Sequence, residues 1–240
     1  MMKMKTPLYA AALLSLGVVN QAAFAQQPTL SFVELGYGQT KIEDVFSEDR
    51  FSGLNLSASF ELTEDWYLPI NYFKHSADDT ATFSQSYTDG VNVFQEDFDE
   101  KFEVDYSEFS IGLGYIFRLG DSSMFTADIS YLKVEAEVAT TVNIRTTSPT
   151  VPETLFTDRF SASESDDGLS SRLMYRKRVN DAFQFNAGLH LKVARINSET
   201  ESNSSVIAEG LYHINENFAL KLAASLGDDD AMIGSVRYSF

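Results

Sequence analysis

Apolar and polar positions alternate along this chain with a period of two. Leu54, Leu56, Ala58, Phe60 and Leu62 interleave with Asn55, Ser57, Ser59 and Glu61, which in an extended strand puts the apolar groups on one face and the polar groups on the other. The pattern recurs with Phe109, Ile111, Leu113, Tyr115 and Phe117 against Ser110, Gly112 and Gly114. It recurs again with Phe183, Phe185, Ala187, Leu189, Leu191 and Val193 against Gln184, Asn186, Gly188, His190 and Lys192. Ten strands are predicted, at 30–40, 52–62, 66–76, 104–117, 124–134, 168–177, 183–194, 205–214, 218–226 and 231–240; eight is the alternative count if one weak pair does not form.

The connections fall into two kinds that alternate. Residues 63–65, 119–123, 179–182 and 215–217 are tight and rich in turn formers, whereas 41–51, 77–103, 135–167, 195–204 and 227–230 lie at the opposite end. Two of these are about 30 residues long, a length that unstructured connections reach mainly when they are functional. The arrangement predicts an up-and-down meander with short turns at one end, long loops at the other, and both termini at the short-turn end.

Alternation shows that the two faces meet different environments without saying which one is inside. A soluble barrel or sandwich would turn the apolar face to its core; a transmembrane barrel would turn it to lipid. Three features favour lipid. The polar face is rich in small residues, such as Gly36, Gly38, Ser57, Gly112, Ser130 and Gly188, which a narrow interior requires. Rings flank the tight turns: Phe60 and Trp66, Phe117 and Phe125, Tyr175 and Phe183, Tyr212 and Phe218, as an aromatic girdle at a membrane interface would. The last strand runs to Tyr238 and Phe240. Strand facing also points Glu34, Glu61, Glu108, Asp128 and Glu209 inward together with Arg172, Arg176, Lys192, Lys221 and Arg237, a set of matched charges that a low-dielectric lumen tolerates only when paired. A spanning sheet must close, because edge amides left unpaired in hydrocarbon cost several kcal/mol each.

Composition narrows the function. The formal charge is −17 and there is no cysteine, which excludes a phosphate-binding basic surface, a disulfide framework and thiolate chemistry. Much of the negative charge lies in 77–103 and in Asp228, Asp229 and Asp230. At the N-terminus, Lys3 and Lys5 precede an apolar run over 8–19 and an Ala23-Phe24-Ala25 cleavage pattern. A run this short falls below the roughly 20 residues of a membrane helix and reads as a secretory signal. The expected division is a cleaved signal peptide over 1–25 and a barrel domain over 26–240.

With its first strand over 32–38, the Ile111-Gly112-Leu113-Gly114-Tyr115 run and the terminal Tyr238-Ser239-Phe240, the chain resembles the small outer-membrane β-barrels of Gram-negative bacteria, the OmpA/OmpX-like group. The resemblance implies an integral outer-membrane location with both mature termini periplasmic. It also implies that Tyr238 and Phe240 form part of the signal read by the assembly machinery. It does not select an activity, because such barrels serve different ends.

Three function classes stand. The first is a plugged barrel making surface contacts through 77–103 and 135–167, or contacts with lipopolysaccharide bridged by divalent cations, as a monomer without cofactor. The second is a narrow porin-like channel whose lumen charges set selectivity. The third is a hydrolase at the outer rim near His75, with Ser76, Asp78 and Asp79 beside it. Metal-site, phosphate-loop and G-x-S-x-G patterns are missing from the sequence, and a catalytic reading of His75 needs a partner within hydrogen-bond reach.

Overall fold

The computed structural model describes residues 27–42, 51–150, 152–196 and 199–240; the signal segment over 1–25 lies outside them. Ten antiparallel strands close into one ring in chain order. They are β1 (Phe32–Ile42), β2 (Phe51–Glu61), β3 (Trp66–Thr88), β4 (Val93–Gly120), β5 (Ser123–Thr147), β6 (Thr154–Arg178), β7 (Phe183–Ile196), β8 (Glu199–His213), β9 (Phe218–Gly227) and β10 (Asp229–Ser239). β1 closes the ring by pairing with β10, from Phe32 opposite Ser239 to Ile42 opposite Asp229. No helix among the described residues is long and apolar enough to span a membrane; the strands carry the crossing.

The ring has its apolar surface on the outside. Leu35, Leu56, Leu113, Ile129, Leu191, Leu222 and Val236 are all exposed, while Glu34, Ser130 and Arg237, chain neighbours of Leu35, Ile129 and Val236, are buried inside. So continuous an apolar wall is a solvation liability in water and a requirement in hydrocarbon. The molecule is therefore a closed transmembrane barrel of the outer-membrane type.

Three of the four tight turns are closed by the side chain that opens them. The Thr63 hydroxyl accepts the amides of Asp65 and Trp66 at 3.3 and 3.1 Å, the Asn180 amide oxygen those of Ala182 and Phe183 at 2.9 and 2.8 Å, and the Asn215 amide oxygen those of Asn217 and Phe218 at 3.0 and 2.8 Å. These local bonds are why the turn formers fall where they do.

The other end departs from the sequence reading. Residues 77–103 and 135–167 are not irregular loops: β3 and β4 stay paired out to Thr88 opposite Val93, and β5 and β6 out to Thr146 opposite Thr154. At 23, 28, 25 and 25 residues, these four strands far exceed the roughly 9–11 that cross a bilayer. β2 leaves β3 at Ser52 opposite Ser76, and β7 joins β6 only from Gly168. Beyond those points β3–β6 form a four-stranded wing standing off the ring, with 77–88 and 154–167 as its edges. The wing's β3–β4 turn repeats the turn chemistry: the exposed Asp89 carboxylate accepts the amides of Val91 and Asn92 at 2.9 and 2.7 Å, which holds it below the ordinary carboxylate range. Gly90 supplies the left-handed backbone there, with φ of 92°.

Candidate functional site

Two regions carry polar chemistry, the lumen and the wing. Inside the ring, strand alternation brings nine of the ten predicted charges to the inner wall. Glu34 on β1 stands opposite Arg237 on β10 and accepts from both its Nε and Nη2, at 2.9 and 2.8 Å. Lys221 on β9 also pairs with Glu34 and reaches Glu209 at 3.5 Å. Asp128 on β5 faces Arg172 on β6, with 3.4 Å between Oδ2 and Nε. Lys192 on β7 crosses the lumen to Glu108 on β4 at 2.8 Å.

Two charges depart from the expected pairing. Glu61 is exposed at the tight-turn rim, where its carboxylate accepts the Leu30 amide at 2.7 Å; its strand ends there, so its parity points it at the mouth and not into the charge ladder. Arg176 is buried and donates to the Thr126 hydroxyl at 3.3 Å, with no carboxylate ion-paired to it among the described residues.

Several lumen groups were not apparent from the sequence. Tyr67 donates its hydroxyl to Asp128 Oδ2 at 2.7 Å, and Asn186 donates to Glu209 at 2.7 Å while accepting from Gln184 at 2.8 Å. Tyr67 also joins Leu30, Ile116 and Met124 in a fully buried cluster that seals the tight-turn end. The signal was available: Ile116 and Met124 are apolar residues at polar-face positions beside a turn. On the wing side of this seal lies a cavity of about 180 Å³, lined by Asn71, His75, Glu108, Ser170, Lys192 and Lys221 among others. The lumen is thus a polar pocket closed at one end, crossed by side chains bonded from wall to wall.

His75 belongs to this interior. It is buried, its Nε2 lies 3.2 Å from Asn55 Nδ2, and its Nδ1 has no hydrogen-bond partner among the described residues. Ser76 and Asp78 project from the opposite face of the strand, and the Asp79 carboxylate accepts the amide of Thr80. The structure therefore does not assemble the suggested rim constellation. No group of three or more metal-ligating side chains occurs among the described residues.

On the ring's outer face the predicted rings meet in pairs at the tight-turn end. Phe125 lies 5.2 Å from Tyr175 and Phe183 5.2 Å from Tyr212. Phe218 lies 5.1 Å from Tyr238, Phe60 5.9 Å from Phe240, and Trp66 and Phe117 both lie against Tyr115.

No family model matches the chain, and no curated protein matches it. Solved structures with which it aligns include Ail, the attachment invasion locus protein of Yersinia pestis, in complex with the heparin analogue sucrose octasulfate (13% identity, 87% of this chain and 97% of that one, TM-score 0.36). The translocator domain of the autotransporter NalP from Neisseria meningitidis aligns at 10% identity over 89% and 90% of the two chains, with a TM-score of 0.37. An outer-membrane channel from Pseudomonas putida F1 aligns at 9% identity over 93% and 100%, with a TM-score of 0.39. Likenesses this distant carry no activity across. The chain's own ring and apolar wall give the conclusion: it is a closed ten-stranded outer-membrane β-barrel with a charged lumen and a projecting four-stranded sheet.

Proposed function

We propose that this barrel is a non-enzymatic surface-interaction protein of the outer membrane whose wing is its recognition element and whose ring is its anchor. The observation that carries this reading is the continuation of β3–β6 far past the height at which the other strands end. A barrel needed only as a membrane plug has no use for a rigid paired sheet of that reach. The wall-to-wall contacts Lys192–Glu108 and Tyr67–Asp128 favour a plugged lumen over a conducting one. The inward setting of His75 argues for a packing role.

In this reading the tight turns and both termini of the mature chain are periplasmic, and the wing is extracellular. The exposed Tyr238 and Phe240 remain accessible to the assembly machinery. Asp105 and Glu137, opposite one another just past the apolar band, suit contacts with lipopolysaccharide through divalent cations. The protein acts as a monomer.

Protease shaving of intact cells, followed by mass spectrometry of the released peptides, tests the placement. Cuts are expected within 77–103 and 135–167. Cuts at 63–65 or 215–217 in intact cells would reverse the orientation and remove the reading.

A further inference from the structure

The alternation of the ring continues into the wing with its sense inverted. On β4 the apolar residues of the ring are odd-numbered, Phe109, Ile111 and Leu113, and face lipid; beyond Val104 they are even-numbered, Phe94, Phe98 and Phe102. On β3 the change is from Ile70 and Tyr72 to Phe83 and Tyr87, and on β6 from Leu169 and Leu173 to Phe156 and Phe160. The wing therefore carries its aromatic side chains on the face continuous with the lumen, where no element of the described chain covers them, while Val93 and Leu155 lie on the opposite face.

Register assembles that face into rows. Phe83 lies opposite Phe98, Phe98 opposite Ile144 and Ile144 opposite Phe156, a line across all four strands. The first two rings stack at 4.5 Å. Phe83 and Phe156 are more than half exposed, at 53% and 58%. Carboxylates flank the line on both sides: Glu96 in the row toward the tip, Glu100 and Asp158 in the row toward the ring. Asp79 follows one row nearer the ring. None of these four has an ion pair among the described residues, and no lysine or arginine shares their face. The basic residues of the wing lie on the other side, where Lys101 and Arg159 pair with Glu103 at 2.8 and 3.8 Å and Arg145 with Glu153 at 3.1 Å.

We infer that this face of the wing is a docking surface for a cationic amphipathic helix. An apolar stripe bordered by uncompensated carboxylates complements a helix whose apolar stripe is bordered by lysine or arginine. Four strands span roughly 14 Å at a spacing of about 4.8 Å, the length of about ten helical residues at 1.5 Å each. The exposed rings add cation–π partners for the same basic groups. A second copy of the wing is a poor occupant, since two such faces bring like charges together, and the anionic lipid surface is repelled for the same reason.

The inference rests on the wing being a recognition element, and the test separates the two. The probe is an 18-residue helical peptide of leucine and lysine with its leucines on one face; the target is the full barrel in phosphatidylcholine nanodiscs, against empty discs. Saturable binding is expected, weakened at least tenfold by Phe98→Ser with Phe156→Ser and by Glu100→Gln with Asp158→Asn. The opposite-face pair Asp97→Asn with Asp99→Asn should bind as the parent does, and heat-modifiable gel mobility checks that every variant folds. A scrambled peptide binding equally well, equal binding by all variants, or no binding would overturn the inference. So would a dimer that Phe98→Ser dissolves, which would assign the face to a second copy. If shaving places the wing outside and the peptide still fails, this inference falls alone; if shaving places the wing inside, the surface reading falls with it.

Discussion

Glu34→Ala is expected to lower the unfolding free energy of the barrel by about 3–5 kcal/mol, the usual consequence of removing one partner from a buried charge group. Glu34 is 6% exposed and Arg237 3%, so the guanidinium cannot turn to solvent when its acceptor disappears. Arg237 stacks on Phe32, with Cζ 3.8 Å from the ring centroid, and this packing fixes it further. Lys221 would retain Glu209, leaving Arg237 as the uncompensated group. The strain falls on the seam where β1 meets β10, the last pairing needed to close the ring. Urea titration in lipid vesicles, followed by tryptophan emission from Trp66, the single tryptophan, measures the effect. Arg176→Met should be far milder, because Arg176 is held by a hydroxyl and has no ion-paired carboxylate to leave behind. A Glu34→Ala protein as stable as its parent would mean that the ladder is solvated and that the lumen is not the low-dielectric interior described.

The second large effect is expected on the outer wall. Leu113 is 44% exposed on the lipid face, and arginine there should cost about 2–4 kcal/mol if the position lies near the bilayer midplane. Ser57 lines the lumen cavity, so Ser57→Arg places the same charge among carboxylates and should be tolerated better. Folding yield into vesicles, read by the heat-modifiable gel shift, should fall for Leu113→Arg well below that for Ser57→Arg. Equal losses would contradict the facing of both residues.

How much of this was legible in the sequence depends on which solvent each segment meets. The strands of the ring were readable because lipid outside and packed polar groups inside impose strict alternation, and the tight turns because Thr63, Asn180 and Asn215 carry the side chains that close them. The wing was read as loop for a physical reason. Ser, Thr, Asp and Glu crowd its strands, so hydropathy alone marks the segment as loop. The sense of its alternation also reverses against the ring, so a template for a lipid-facing strand stops matching at about Val104. Following the phase of Phe94, Phe98 and Phe102 separately would have recovered it. Strand parity brought most of the charge ladder to the right face. It failed for Glu61 because parity says nothing about height, and that residue sits where the strand ends. Tyr67 was missed because a tyrosine beside a turn looks like one more interfacial ring, although its parity sets it inside against Asp128.

Lipid meets one face of the ring and polar packing fills the other. Because the chain has no cysteine, single cysteines placed from 109 to 117 on β4 can each carry a nitroxide label in vesicles without background. Collision with dissolved oxygen should be high at 109, 111, 113, 115 and 117 and low at 110, 112, 114 and 116. The opposite phase, or collision with a water-soluble nickel chelate as strong at Leu113 as at an exposed wing position, would contradict this facing.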